Sequence, residues 1–280
     1  MYVAWAMYSR ASVLAELGRT DEAMVAWEEV VQRFGEANVA ALNWWVVRSV
    51  ARRAVMLQRR GRLEEALAAF EDMERRVVDE NASSALRKEA ASAIRGQGFL
   101  LDDLKRSDEA IAANERLVAR FGEDGENAIR DLVAGALNDI AFMYVRLERL
   151  DEALAAYKEI ARRFGTTTRP ALRGEVAQAL MNEGMVLWRM GRHGEDLAVF
   201  DELLRRFDRF NEPSVRIALA SALLIKGFTL ERLGRLDEAT LAYEELEDRF
   251  AEDSDRSIQE DVADARERRA ELREGRSTPH

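Results

Sequence analysis

The chain has no cysteine. Disulfides, thiolate metal sites and cysteine nucleophiles are therefore excluded. Histidine is nearly as scarce. His193 and His280 are the only two, which leaves little for metal binding or general-base chemistry. Three prolines interrupt 280 residues, and glycine falls at regular places. So few breakers in a chain rich in Ala, Leu, Glu and Arg predict helices throughout. Lysine is confined to Lys88, Lys105, Lys158 and Lys226, and arginine carries the rest of the positive charge. With the heavy alanine content, this bias fits a GC-rich bacterial genome and implies no mechanism. No apolar run approaches the length that crosses a bilayer. The stretch from Met1 to Leu17 lacks the basic end, apolar core and cleavage site of a secretory signal. A cytoplasmic protein with no membrane partner is expected.

Hydrophobic residues make up 48% of the chain and charged residues 34%, which suits a soluble protein with ample apolar surface to bury. The formal charge of −10 disfavours a general affinity for nucleic-acid phosphates, so no nucleic-acid partner is expected.

The sequence repeats. Glu22, Glu65, Glu109, Glu152, Glu195 and Glu238 occupy one slot, at spacings of 43, 44, 43, 43 and 43 residues. Each lies in a segment such as Leu17-Gly-Arg-Thr-Asp-Glu-Ala23 or Leu233-Gly-Arg-Leu-Asp-Glu-Ala239. Small residues recur at Ala11, Ala54, Gly98, Ala141, Gly184 and Gly227. Arginine recurs at Arg33, Arg76, Arg120, Arg163, Arg206 and Arg249, each followed by an apolar residue. Pro170 and Pro213 keep the same step and suit the first turn of a helix.

Each unit reads as two helices. In the fourth, Leu137, Ile140, Ala141, Tyr144 and Leu147 form one apolar stripe, and Ala153, Leu154, Tyr157, Ile160, Ala161 and Phe164 form another. Gly165 is expected to end the second helix. Asp151 and Glu152 at its start, and Arg162 and Arg163 at its end, suit the helix dipole, so these charged slots read as local stabilisers. One pair cannot bury its own apolar faces, but stacked neighbours can, which predicts a solenoid. The small slot would mark where two helices cross closely.

These segments resemble tetratricopeptide repeats over roughly residues 1–250. The resemblance is carried by the small residue in the first helix and the large apolar residue three positions on. It is carried further by the Gly-Arg-x-Asp-Glu-Ala turn and by the aromatic four residues after that alanine. That aromatic is Trp27, Phe70, Tyr157, Phe200 or Tyr243, with Asn114 the exception. The resemblance implies an all-α fold, a right-handed alpha-alpha superhelical solenoid of stacked antiparallel helix pairs. The usual unit is about 34 residues. The extra length here falls upstream of the first helix, which would run about 20 residues or roughly 30 Å. Residues 1–250 would hold six helical hairpins, with the first helix truncated at Met1. Residues 251–280 would be a polar capping helix, with Gly275 to His280 frayed. The incomplete first helix suggests either the C-terminal part of a longer protein or an end that packs on another subunit.

Enzyme signatures are missing, and no metal, cofactor or catalytic residue is assigned. His193 lies in a turn where the other repeats carry Thr20, Leu63, Ser107, Leu150 and Leu236, and reads as a tolerated loop substitution. Asp196 would cap the helix that follows. Gly96-Gln97-Gly98 resembles a nucleotide loop only superficially, since Gly98 is the close-packing slot.

The resemblance also implies that the first helices line a concave, ligand-bearing surface. The slots carried over give Arg59, Phe99, Phe142, Arg146, Met185, Trp188, Arg189, Phe228 and Arg232 as candidates for binding a protein or peptide. Aromatic residues, Met and Arg are enriched at protein interfaces. The carboxylate clamp known in this family is incomplete here, with Asn182 alone matching one of its slots. The expected function is a non-catalytic interaction scaffold or adaptor. The alternatives are a self-assembling solenoid joined through its uncapped N-terminal end, or the sensing part of a larger signalling protein or enzyme.

Overall fold

The computed structural model describes residues 1–37, 39–77 and 82–277, and His280 lies outside them. Every secondary-structure element among the described residues is a helix, and the helices fall into six antiparallel pairs plus one. The pairs are α1 (Tyr2–Glu16) with α2 (Thr20–Phe34), α3 (Ala40–Arg59) with α4 (Leu63–Arg76), and α5 (Ser84–Asp103) with α6 (Ser107–Phe121). They continue with α7 (Asn127–Arg146) and α8 (Leu150–Phe164), α9 (Pro170–Arg189) and α10 (His193–Phe207), and α11 (Pro213–Arg232) and α12 (Leu236–Phe250). The last helix is α13 (Arg256–Ser277). From α3 to α11 every first helix has 20 residues, as the extra repeat length predicts, while α1 has 15. The chain forms two compact units, Met1–Ile140 and Ala141–His280, and the division falls inside α7. Within each unit the second helix of one repeat packs on the first helix of the next, giving a stacked helix-pair solenoid.

The turn inside each pair shows why Gly-Arg recurs. Gly18, Gly61, Gly191 and Gly234 have φ between 71° and 74°, a left-handed conformation that glycine adopts without steric cost. The next residue's N–H reaches back five residues to a first-helix carbonyl: Arg19 to Leu14, Arg62 to Leu57, Arg192 to Leu187 and Arg235 to Leu230. This is a Schellman closure of the first helix. The same arginine is the N-cap residue of the second helix, and its guanidinium pairs with the repeat glutamate three residues on. The Arg19–Glu22, Arg62–Glu65, Arg192–Glu195 and Arg235–Glu238 distances run from 2.5 to 2.7 Å. Gly165 does not work this way. It follows α8 at φ −58°, so the left-handed glycines end first helices rather than second ones. Lys105 and Glu148 stand in the turn-glycine slot and keep its positive φ, 63° and 58°.

The core confirms the close crossing. A Cβ on Gly227 would lie 2.2 Å from the Tyr243 ring, and one on Gly184 would lie 2.3 Å from the Phe200 ring. The small slot therefore seats the aromatic of its own repeat. Asn114, the exception, lies over Gly98 and donates to the Ala110 carbonyl at 3.1 Å.

Two sequence expectations are corrected. The repeated arginines near second-helix ends do more than complement their own helix dipole. Arg76 donates to the Gly35 carbonyl at 3.1 Å, Arg120 donates to the Val77 carbonyl, and Arg249 pairs with Asp208 at 3.1 Å. Each fastens its repeat to the end of the preceding second helix, whose last carbonyls lack helical partners. Arg120, Arg206 and Arg249 also lie over the following phenylalanine ring at 5.1 to 5.4 Å. The second correction concerns α11, which by length and composition is apolar enough to cross a membrane. Its apolar window is 56% buried, because α9, α10, α12 and α13 cover several of its faces.

Polar groups also set the register between repeats. Arg53 of α3 pairs with Glu28 of α2, and Lys226 of α11 pairs with Asp201 of α10 at 2.5 Å. In the same slot of α9 stands Glu183, which is buried, and Lys158 of α8 supplies the opposing charge. The polarity is reversed there. Burial pushes the Glu183 carboxyl above its ordinary range, and Lys158 offsets part of that shift.

At the C-terminal end α13 buries Ile258, Val262 and Ala265 and presents charge outward. Arg268 pairs with Glu231 at 2.5 Å and Arg269 with Glu247 at 2.7 Å. Helix α13 extends to Ser277, and residues 278–280, the rest of the tail expected to fray, lie outside the described residues.

Three outcomes follow for stability, each read by thermal or denaturant unfolding. Gly227→Ala should destabilise by about 1–3 kcal/mol, because the methyl group meets a fixed ring. Lys105→Gly should stabilise by up to about 1 kcal/mol, because it relieves a left-handed lysine. Glu183→Gln should raise stability at neutral pH. The folded-state pKa is raised, so the stability carried by protonated Glu183 is present below 4.5 and lost as pH rises through the folded value. The gain should therefore shrink as pH falls from the raised folded value toward 4.5 and be gone below it.

Candidate functional site

The first helices turn one stripe away from the core, and the candidate residues divide between the units. In Met1–Ile140, Arg59 is exposed in the last turn of α3 and Phe99 is 47% exposed on α5. Arg95, one turn before Phe99, lies over its ring at 5.1 Å and pairs with Asp139 at 2.8 Å. The sequence reading missed Arg95. Its signal is Gly135, the position on α7 where a Cβ would collide with the Arg95 guanidinium at 2.6 Å.

The other seven candidates belong to Ala141–His280. Phe142 is 56% exposed and Met185 39% exposed, both large apolar side chains turned toward solvent. One turn on, Arg146, Arg189 and Arg232 occupy the last turns of α7, α9 and α11, where a cation also suits the negative end of the helix dipole. The stripe on α9 continues through Gln178 and Asn182, whose side chains bond each other at 3.1 Å. Asn182 also meets the hydroxyl of Tyr157, whose pKa burial pushes up to about 12. The one residue that matches a carboxylate-clamp slot is thus already engaged inside the fold.

Trp188 and Phe228 are half-buried rather than open. The Arg232 guanidinium lies over the Trp188 ring at 5.5 Å. Phe228 sits edge-on to Tyr243, with centroids 6.0 Å apart, and Arg268 of the capping helix lies over it at 5.9 Å. Phe228 is therefore partly closed off by α13, and the open apolar surface narrows to Phe142 and Met185. Arg189 pairs with Glu148 at 2.8 Å. Among the described residues Glu148 and Lys105 are the two non-glycine residues with a left-handed φ.

Two other places carry clustered polar groups. An open cleft of about 560 Å³ lies at the loops after α10 and α12, lined by Phe210, Phe250 and several charges. Its arginines are already paired, Arg216 with Asp253 at 2.9 Å and Arg249 with Asp208 at 3.1 Å. The second is His193. It is no isolated loop substitution, because it opens α10 and its Nδ1 lies 3.2 Å from Asp196 Oδ2. Asp196 does not cap the helix, since Arg192 is the N-cap residue. Asp196 stands fully buried in a slot that is alanine elsewhere and accepts the hydroxyl of buried Thr229 at 3.2 Å. The three substitutions form one polar bridge between α10 and α11. Among the described residues no group of three or more acids and histidines is placed to hold a metal ion.

Models described as tetratricopeptide repeat match residues 5–37, 47–72 and 143–210. None of the curated proteins matches the chain by sequence. Among solved structures, that of BtubC (BKLC) from P. vanneervenii is similar with a TM-score of 0.58 at 14% identity, over 99% of this chain and 93% of that one. The apo form of RapI gives 0.67 at 12% identity, over 92% and 67%. A putative kinesin light chain with nearly identical TPR-like repeats from Podosopora anserina gives 0.51 at 13%, over 78% and 95%. At these identities the likeness is one of fold.

The Asp196 bridge can be checked by unfolding. Thr229→Val should cost about 1–3 kcal/mol by leaving a buried carboxylate short of a donor. The double change Asp196→Ala with Thr229→Val should cost much less than that, since both polar partners leave together.

Proposed function

On the premise that this is a tetratricopeptide-repeat chain, we propose that it is a non-catalytic protein-binding scaffold. Its ligand is a peptide or protein segment held on the first-helix face of residues 141–280. The observation that carries this is the juxtaposition of exposed Phe142 and Met185 with the arginines one turn beyond them. A soluble protein seldom leaves such side chains open without a partner. The chemistry suits a segment that offers aliphatic or aromatic side chains to Phe142 and Met185 and carboxylates to the arginine row. Arg189, held by Glu148, exchanges one carboxylate for another on binding. Trp188 stiffens Arg232 by lying under it and so lowers the entropy lost when Arg232 is engaged.

The test is affinity capture from a lysate of the native host, read by mass spectrometry. It compares the natural chain with a Phe142→Ala, Arg146→Ala, Arg189→Ala version of matched helicity and melting temperature. A partner held by the first and lost by the second is the expected result. For a single purified ligand, Phe142→Ala should weaken binding by about 1–2 kcal/mol. Equal capture by both versions would move the site off this face.

A further inference from the structure

A second open face lies in unit Met1–Ile140, apart from the first-helix stripe of residues 141–280. Val3, Ala6, Arg10 and Val13 lie three to four residues apart on α1, a single helical stripe. All four are exposed, Val3 and Val13 each at 52%. The same slots in later first helices are closed. In α3 they are Val46, Ser49, Arg53 and Met56, in α9 Val176, Ala179, Glu183 and Val186, and in α11 Leu219, Ala222, Lys226 and Thr229. Val46, Ser49, Val176, Ala179, Leu219, Ala222 and Thr229 are at most 1% exposed. What closes them is the second helix of the preceding repeat. Met56 packs on the cluster that holds Trp27 of α2, Arg53 pairs with Glu28 of α2, and Lys226 pairs with Asp201 of α10.

We propose that the outer face of α1 docks an amphipathic helix of a partner protein, seated as each second helix sits on the first helix that follows it. The recurring interior joint specifies that helix. It carries an apolar stripe that closes over Val3, Ala6 and Val13, and one carboxylate opposite Arg10. Ala6 is small, as are Ser49, Ala179 and Ala222 in the same slot, so the backbone of the incoming helix can come close. The carboxylate follows from charge. Arg53 and Lys226, in the slot of Arg10, each meet an acid on the covering helix. Tyr2, 78% exposed, stands in the slot of Trp45, which packs on the same cluster as Met56, and it extends the apolar rim. The outward face of α13 is charged, so head-to-tail stacking of copies does not supply the occupant.

The probe is a fluorescein-labelled peptide of residues 18–37, the α2 segment, with its helix held by a lactam bridge on the side away from the joint. It is titrated into the full chain and followed by anisotropy, while sedimentation velocity reports the mass of the chain alone. Saturable binding is expected, weakened at least about tenfold by Val3→Glu or Val13→Glu. Arg10→Glu should weaken it similarly, and a peptide carrying Glu28→Lys should restore binding to that variant. These positions are exposed, so the variants keep the natural melting temperature. Absence of saturable binding, or binding indifferent to Val13→Glu and Arg10→Glu, overturns the proposal. A dimer of the chain alone that Val13→Glu dissociates also overturns it and assigns the face to a second copy.

Discussion

A Cβ added to Gly227 would lie 2.2 Å from the Tyr243 ring, and one added to Gly184 would lie 2.3 Å from Phe200. This close approach of a first helix to the aromatic of its own repeat is the constraint on which the stack depends. It fixes the spacing within each pair, and that spacing decides which residues of the next first helix meet the second helix behind it. The ring fills the crossing completely: Phe200 and Tyr243 have no exposed surface, and Trp27 and Tyr157 only 1%. A larger small-slot residue would push the helices apart and open a gap beside the ring, so both terms oppose the change.

Charge acts at two levels. The Arg–Glu pairs three residues apart, such as Arg19–Glu22 and Arg235–Glu238, are local and solvated, and they stiffen the turn without tying repeats together. A second set crosses between repeats. Arg76 on the Gly35 carbonyl, Arg249 on Asp208, Arg53 on Glu28 and Lys226 on Asp201 each join one repeat to the repeat before it. The reversed polarity at Glu183 and Lys158 means that a shift of one whole repeat in this part of the stack would oppose like charges. The ion pairs thus define neighbour identity, a role that a uniform apolar joint could not fill.

The two surfaces singled out differ in origin. Phe142 and Met185 are open because the first-helix stripe of residues 141–280 points away from the core, with arginines that the helix ends would favour in any case. The α1 stripe is open because the slots that every later first helix buries have no helix over them. One surface carries residue types chosen for exposure, and the other carries residue types that are interior elsewhere in the same chain. The two proposed ligands therefore differ in geometry, a segment along several first helices in one case and a single packed helix in the other.

The sequence by itself determined the helices, their lengths and their pairing, because the 43-residue period repeats both the apolar stripes and the Gly-Arg turn. It located the small slot and the aromatic slot separately, at Gly227 and Tyr243 for example, but only the tertiary structure joined them. Turn chemistry was partly legible. Gly-Arg marked the turn and Gly165 marked the end of α8, yet that the first closes through a left-handed glycine and the second does not depends on a carbonyl five residues back. His193 and Asp196 could be seen as joint departures from the repeat, but their third partner, Thr229, lies on another helix and carries no sequence signal of contact. The covering of Phe228 by Arg268 and the pairing of Arg189 with Glu148 were likewise invisible, because long side chains meet across most of a repeat. Period and composition fix what each helix presents. Which neighbour covers it is a matter of three-dimensional distance, and the tertiary structure alone decided that.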